Sequence, residues 1–247
     1  MLDPLLLETP TFALEQADRA VSLLAETAEA AFYTLSQYRT EPDYVETVQV
    51  LCRRTSSYHD QISSYLTQIS SREIMEADAS MHALLMNAQT AFANIGSVTA
   101  QILAVMVTHT QSGGAIPDRV RNEIRVFGEA VDETISLTNL SFQRKDPMLS
   151  ATVQLYREEI ARMSTMVGMR FIENMHRGDL DHSHSVNISK FLYVEEGLID
   201  GCDIVADALL KYAKETGQDV QIQPADIEKK RQQVRELFQD KYAMLGL

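Results

Sequence analysis

Residues 191–210 read FLYVEEGLIDGCDIVADALL and combine an apolar face and an acidic face on one helix. The apolar residues recur every three or four positions and so share one side: Phe191, Val194, Leu198, Cys202, Val205 and Leu209. The acidic residues, here called the acidic stripe, recur at the same spacing on the opposite side: Glu196, Asp200, Asp203 and Asp207. Because like charges four positions apart on a helix repel each other, the stripe is either a solvated face or is matched by a cation or a basic partner.

The composition is that of a globular protein with a strong acidic balance. The chain has 247 residues, of which 45% are hydrophobic, and this is enough for one large or two small domains. Its formal net charge of -13 argues against partners such as nucleic acid or anionic lipid headgroups, whereas metal cations and basic proteins are compatible with it. Cys52 and Cys202 both lie in apolar helical patterns, so we expect two free thiols in a reducing compartment.

Prolines and helical periodicity divide the chain into seven helices, and almost no segment alternates with a period of two, so the predicted fold class is all-α. The turn Arg39–Pro42 has a counterpart, Arg144–Pro147, 105 residues later, which predicts two tandem three-helix units. The helices are predicted at 10–38, 43–70, 72–110, 117–143, 147–177, 183–216 and 224–244. The predicted domains are an N-terminal arm (1–9), a first repeat (10–110), a Gly-Gly-Pro linker (111–117), a second repeat (118–216) and a C-terminal tail with an amphipathic helix (217–247).

The third predicted helix carries no charged residue from Ala79 to its end. Polar side chains are spread along it, and its continuous apolar run, 102–107, is too short for a helix that faces lipid. The positions that match the acidic stripe of the second repeat hold small residues instead: Ala93, Ser97, Ala100 and Ala104. Because small residues allow another helix to approach closely, we expect these four residues to form a helix–helix interface, including one between subunits.

Two segments resemble the PhoU family. The third helix of each PhoU repeat carries an acidic Glu-x-x-x-Asp motif, and the segment EEGLIDGCDIVAD at 195–207 places this Glu at Glu196 and this Asp at Asp200. The N-terminal sequence LDPLLLETPTFALEQA at 2–17 looks like the start of the cytoplasmic PhoU-like region of bacterial sodium/phosphate (Na/Pi) cotransporters. The resemblance covers residues 2–215. It implies an elongated PhoU-like bundle made of the two repeats, with the C-terminal helix added to it.

The resemblance also implies a function. A PhoU-like chain would be a non-enzymatic regulatory module of phosphate transport or phosphate signalling. It would act by protein–protein contact with a membrane phosphate transporter domain, in the same or a separate chain, at the cytoplasmic face of the membrane. Apart from the resemblance, the small-residue face of the third helix predicts a homo-oligomer, since it can dock on a second copy of the chain.

PhoU proteins can bind iron or zinc clusters at their acidic motifs, which implies a metal site in the second repeat. Glu196 and Asp200 are the candidate ligands for iron, zinc or another divalent cation, with Asp203 and Glu159 as further candidates. The first repeat departs from the family pattern, because Ala93 replaces the motif's Glu and Ser97 its Asp. We therefore expect no metal there.

Two alternatives from other classes stay open. One is a metal-dependent helical-bundle enzyme of the di-iron type, which requires two Glu-x-x-His motifs plus two further glutamates. Only one such motif is identified, from Glu173 to His176. The other alternative is a scaffold without metal, in which the acidic stripe is a solvated face. No spacing indicates a nucleophile with its base, so no catalytic residue is predicted.

Overall fold

The computed structural model describes residues 2–37, 42–70, 75–111, 118–177, 182–218 and 222–245, without the side chains of residues 42, 76–77, 174–175 and 182–196. A short 3-10 helix, Pro4–Glu8, precedes seven α-helices. These are α1 (Pro10–Ser36), α2 (Pro42–Ser70), α3 (Glu76–Gln111), α4 (Asp118–Arg144), α5 (Pro147–His176), α6 (His182–Glu215) and α7 (Pro224–Leu245). The described part of the chain contains no strand, so the all-α prediction is confirmed. Residues 112–117 of the predicted linker lie outside the described residues.

Helices α1, α2 and α3 pack against one another, and so do α4, α5 and α6. The two groups meet along α3 and α6 and along α1 and α4, and a single hydrophobic core runs through both. Phe92 of α3 and Phe142 of α4 meet edge to face in this core, with ring centroids 5.6 Å apart. The buried apolar residues of the two groups form one core and not two. The predicted division of the chain into two repeat domains therefore stays a prediction.

The N-terminal arm lies against the first three-helix group. Leu7 of the arm is buried, and the Tyr65 hydroxyl of α2 donates a hydrogen bond to the carbonyl oxygen of Asp3 at 3.0 Å. Pro10 occupies the first position of α1, where its missing N–H is not needed. Thr9 occupies the cap position, but its hydroxyl makes no capping hydrogen bond, so the entry to α1 depends on the packed arm instead.

The C-terminal helix docks on the second group, along α5 and α4, as its amphipathic pattern predicts. Val234 and Phe238 are buried, and Phe238 meets Tyr156 of α5 edge to face at 5.4 Å. The sequence pattern of this helix predicts an apolar stripe of Val234, Leu237, Phe238, Tyr242 and Leu245, and this prediction is wrong for Leu237, which is 40% exposed. Lys241, four residues later on α7, is buried, and the Nζ atom of Lys241 lies 2.7 Å from Glu133 Oε1 of α4.

Helix α3 is the described segment with the length and composition to cross a membrane, over Asp78–Gln111, with a mean hydropathy of 1.5 in its most apolar 18-residue window. About 44% of its most apolar window is buried inside the fold. A core helix of a soluble protein satisfies the same two criteria, and α3 packs against α1, α2 and α6. The packing gives a sufficient reason for its apolar composition.

Candidate functional site

The acidic stripe of α6 meets basic and amide side chains of α5. Arg157 places its Nε atom 3.2 Å from Asp203 Oδ2 and its Nη2 atom 3.8 Å from Asp200 Oδ1. Gln154, one turn earlier on α5, donates a hydrogen bond from Nε2 to Asp207 Oδ1 at 2.6 Å. The basic partner expected for the acidic stripe is therefore Arg157 of the same chain.

Arg157 changes the electrostatics of the stripe. Burial raises the pKa of Asp203. The neighbouring carboxylates of Asp207 and Asp200 raise it further, while the guanidinium of Arg157 lowers it. Asp200 is mostly exposed, with 69% of its side chain accessible, so its 3.8 Å contact with Arg157 is screened by water. Asp203 is only 22% exposed, and its ion pair is the stronger of the two.

Glu159 lies elsewhere, on the face of α5 that α7 covers. Its buried carboxylate accepts a hydrogen bond from Arg162 Nη1 at 2.6 Å and one from the Tyr242 hydroxyl at 3.1 Å, and Arg235 Nε lies 3.8 Å away. Burial and the Glu159 carboxylate raise the pKa of Tyr242 to about 12. Glu159 thus serves the docking of α7, and the structure does not bring it together with Asp203.

The described residues do not fit a transition-metal site at the stripe. Among them, no three His, Cys, Asp or Glu side chains are placed to hold one ion. The cation that faces Asp200 and Asp203 is Arg157, whose positive charge opposes a second cation beside it. The side chain of Glu196 lies outside the described part, so metal binding at Glu196 and Asp200 stays a prediction.

The equivalent position of the first repeat is an open groove between α2 and α3, with a volume of about 590 Å³. Ala93, Ser97 and Ala100, three of the four predicted interface residues, line it. Ala104 is exposed one helical turn further along α3. The other lining residues, most of which carry polar side chains, are Gln49, Cys52, Arg53, Thr55, Ser56, His59, Thr90, Asn94 and Gly96. We call this cavity the α2–α3 groove; sequence reasoning did not find it, because it depends on how far apart two helices lie.

The close helix contact of α3 uses a different face from the predicted one. Gly201 of α6 packs against Ala91 and Ile95 of α3: a Cβ atom added there would lie 3.4 Å from the Ala91 carbonyl oxygen. Gly197 faces Val98 less closely, since a Cβ atom added there would lie 3.8 Å from Val98 Cγ2. The small residues that permit this approach are therefore glycines of α6, and the interface predicted for Ala93, Ser97, Ala100 and Ala104 remains a prediction for a partner outside the chain.

A polar cluster joins α1 to α4. Glu29 of α1 accepts hydrogen bonds from Ser136, at 2.6 Å, and from Asn139 of α4. Asp132 lies in the same region, and its buried Oδ1 atom has no hydrogen-bond partner. Burial, together with the neighbouring Glu29 and Glu133 carboxylates, raises the pKa of Asp132 to about 6. No sequence motif indicated this cluster.

The two cysteines are free, as predicted, and neither is an activated nucleophile. Cys202 is fully buried, and burial raises the pKa of its thiol to about 12. Cys52 is half-buried, and burial raises its pKa to about 11. Both thiols are protonated at neutral pH and so lack the reactive thiolate.

No family model matches this sequence, and no curated protein matches it either. A solved structure does: PhoU from Pseudomonas aeruginosa aligns with a TM-score of 0.72 at 15% sequence identity. The alignment covers 84% of this chain and 98% of that protein. The chain has a PhoU-like fold. The resemblance to the PhoU family that the sequence suggested is thus supported at the level of fold, and the closer resemblance to the cotransporter region stays a prediction.

Proposed function

We propose that this chain is a non-enzymatic, PhoU-like regulatory module of phosphate transport or phosphate signalling. It contacts a membrane phosphate transporter domain, in the same or a separate chain, on the cytoplasmic side of the membrane. The observation that carries the proposal is the PhoU-like fold over 84% of the chain. The N-terminal segment 2–17, which looks like the start of the cotransporters' cytoplasmic region, points to the partner.

The site chemistry agrees with regulation by contact. In the described residues both thiols are protonated, the acidic stripe is paired with α5, and no group of three metal-ligating side chains is assembled. The di-iron alternative gains no support from this arrangement. Contact, in turn, requires an accessible surface, and the exposed small-residue face of α3 at Ser97, Ala100 and Ala104 provides one.

The docking face is proposed to be this side of α3, where short side chains let a partner helix approach the backbone. The same face would serve a second copy of the chain in a homo-oligomer. A long charged side chain at Ala104 would hold a partner helix away from the backbone without entering the core, because Ala104 is exposed.

The proposal is tested by phosphate uptake in cells that lack the gene and carry the wild-type chain, Ala104→Lys or Ala83→Lys. Ala83 is an exposed alanine of the same helix that lies well before Ala93, the first of the four predicted interface residues, and so is the matched control. We expect loss of the chain to change uptake, and the wild type and Ala83→Lys to restore it. Ala104→Lys should not restore it, although its circular dichroism and thermal unfolding match the control.

Uptake that does not respond to loss of the chain would contradict the regulatory role. Full restoration by Ala104→Lys would contradict the docking face. The molar mass of the purified chain by light scattering tests self-association separately, and a monomeric mass at all concentrations would exclude the homo-oligomer.

A further inference from the structure

The α2–α3 groove is lined by hydrogen-bond donors and no acid. None of its described lining residues is Asp or Glu, while Arg53, His59, Gln49 and Asn94 all contribute side chains. Helix α3, which forms one wall of the groove, has no Asp, Glu, Lys or Arg between positions 79 and 111. In a chain with a net charge of -13, a groove whose own charge is positive is a local exception.

These donors have no hydrogen-bond or ion-pair partner among the described residues. Gln49, Arg53 and Asn94 form no hydrogen bond or ion pair with another described residue. The buried Nδ1 atom of His59 is also without a hydrogen bond. The nearest acids on α2, Glu46 and Asp60, are not among the residues that line the groove.

In the second repeat, the amide and guanidinium donors at this place have carboxylate partners within the chain. There, α5 supplies an amide and a guanidinium, Gln154 and Arg157, and α6 supplies the carboxylates of Asp207 and Asp203 that accept from them. In the first repeat, α2 also supplies an amide and a guanidinium to the groove: Gln49 corresponds to Gln154 at the 105-residue offset of the repeat, and Arg53 lies one residue beyond Cys52, which corresponds to Arg157.

The matching acceptors are missing from the first repeat. Where α6 has Asp203 and Asp207, α3 has Ala100 and Ala104. The donors of α2 are therefore present without the carboxylates that they would bind.

The groove also has a fixed floor. A Cβ atom added at Gly96 would lie 2.2 Å from Thr55 Oγ1, so α2 and α3 are in direct contact at this point. Thr55 is itself buried and bonded to the carbonyl oxygen of Cys52 at 2.7 Å. The cavity above this contact, about 590 Å³, lies within the usual range of roughly 300–1,000 Å³ for small-molecule sites.

We infer that the α2–α3 groove binds a small anion that carries phosphate or carboxylate groups, with Arg53 as its charged contact. The anion takes the place that the carboxylate of Asp203 occupies in the second repeat, beside Ala100. The planar guanidinium suits either group, because both present two oxygens at a matching distance. Binding here needs no transporter partner, so it can fail or succeed independently of the proposed regulatory function.

Isothermal titration calorimetry of the full chain tests the inference, with inorganic phosphate, pyrophosphate and citrate as probes at low ionic strength. We expect at least one probe to bind, and the strongest of the three identifies the class of anion. Arg53→Gln should weaken that binding by about tenfold, the scale of one hydrogen bond to a charged group. Arg54→Gln is the matched control, since Arg54 is the next residue on α2, exposed and outside the groove.

A second variant imitates the other repeat. Ala100→Asp places a carboxylate where α6 has Asp203, so we expect it to abolish anion binding, while Ala83→Asp, which adds the same charge elsewhere on α3, leaves most of it. No binding of any probe by the wild type at millimolar concentration would overturn the inference. So would equal losses in Arg53→Gln and Arg54→Gln, because net charge alone would then explain the effect.

Discussion

Replacement of Asp132 by Asn is expected to stabilise the fold at neutral pH. The carboxyl group of Asp132 is half-buried beside Glu29 and Glu133, its Oδ1 atom has no hydrogen bond, and its pKa is about 6 instead of the ordinary 3.8. This difference corresponds to about 3 kcal/mol for a fully buried carboxyl. Solvent screening of this partly exposed group reduces the expected gain to about 1–2 kcal/mol.

The gain should depend on pH in a direction that follows from the raised pKa. Below the unfolded-state value both states are protonated, so the carboxyl of Asp132 costs the fold nothing there. As the pH rises through the window from 3.8 to about 6, the unfolded chain loses this proton first, and the wild type loses stability relative to the variant. The variant has no proton to lose at this position.

Urea unfolding of the wild type and Asp132→Asn at about pH 8 and about pH 4 measures both effects. We expect a free energy of unfolding that is larger in the variant at the higher pH and nearly equal at the lower one. Asp240→Asn removes an exposed aspartate of α7 and serves as the control for net charge. A variant that is no more stable at the higher pH, or whose gain is the same at both values, would refute the reasoning.

Three further predictions concern the helix contacts and the stripe. Gly96→Ala should lower the free energy of unfolding by about 1–3 kcal/mol, because the new methyl group would lie 2.2 Å from Thr55 Oγ1; an unchanged urea midpoint would show that the two helices can separate at no cost. Arg157→Gln should destabilise by up to about 1 kcal/mol near neutral pH, since it removes the countercharge of a partly exposed pair, and this loss should vanish in acid, where the carboxylates are protonated. Elemental analysis of protein purified without chelator or affinity tag, beside the double variant Glu196→Ala/Asp200→Ala, tests the metal prediction. Stoichiometric iron, zinc or manganese in the wild type alone would support the prediction. The absence of metal from both proteins would leave Arg157 as the countercharge of the stripe.

The helices could be predicted from the sequence because their signals are local. Pro10 and Pro147 each occupy the first position of a helix, a preference that depends only on the local backbone. Apolar residues three and four positions apart indicate a helix with one buried side. The same periodicity predicted that α7 would dock through Val234 and Phe238. The resemblance of two short segments to the PhoU family led to the same fold as the later structural comparison, since the spacing of an acidic motif is also a local property.

The sequence by itself therefore determined the helices, their buried faces and the presence of an acidic stripe. Only the tertiary structure decided what lies opposite each face. Arg157 is 46 residues away from Asp203 along the chain, and the ion pair between them depends on how α5 is rotated against α6. Likewise, the α2–α3 groove depends on the contact between the two helices at Gly96 and on the short side chains of Ala93, Ser97 and Ala100 that α3 presents beside it. Such features depend on distances between helices, which the periodicity of a single helix does not contain.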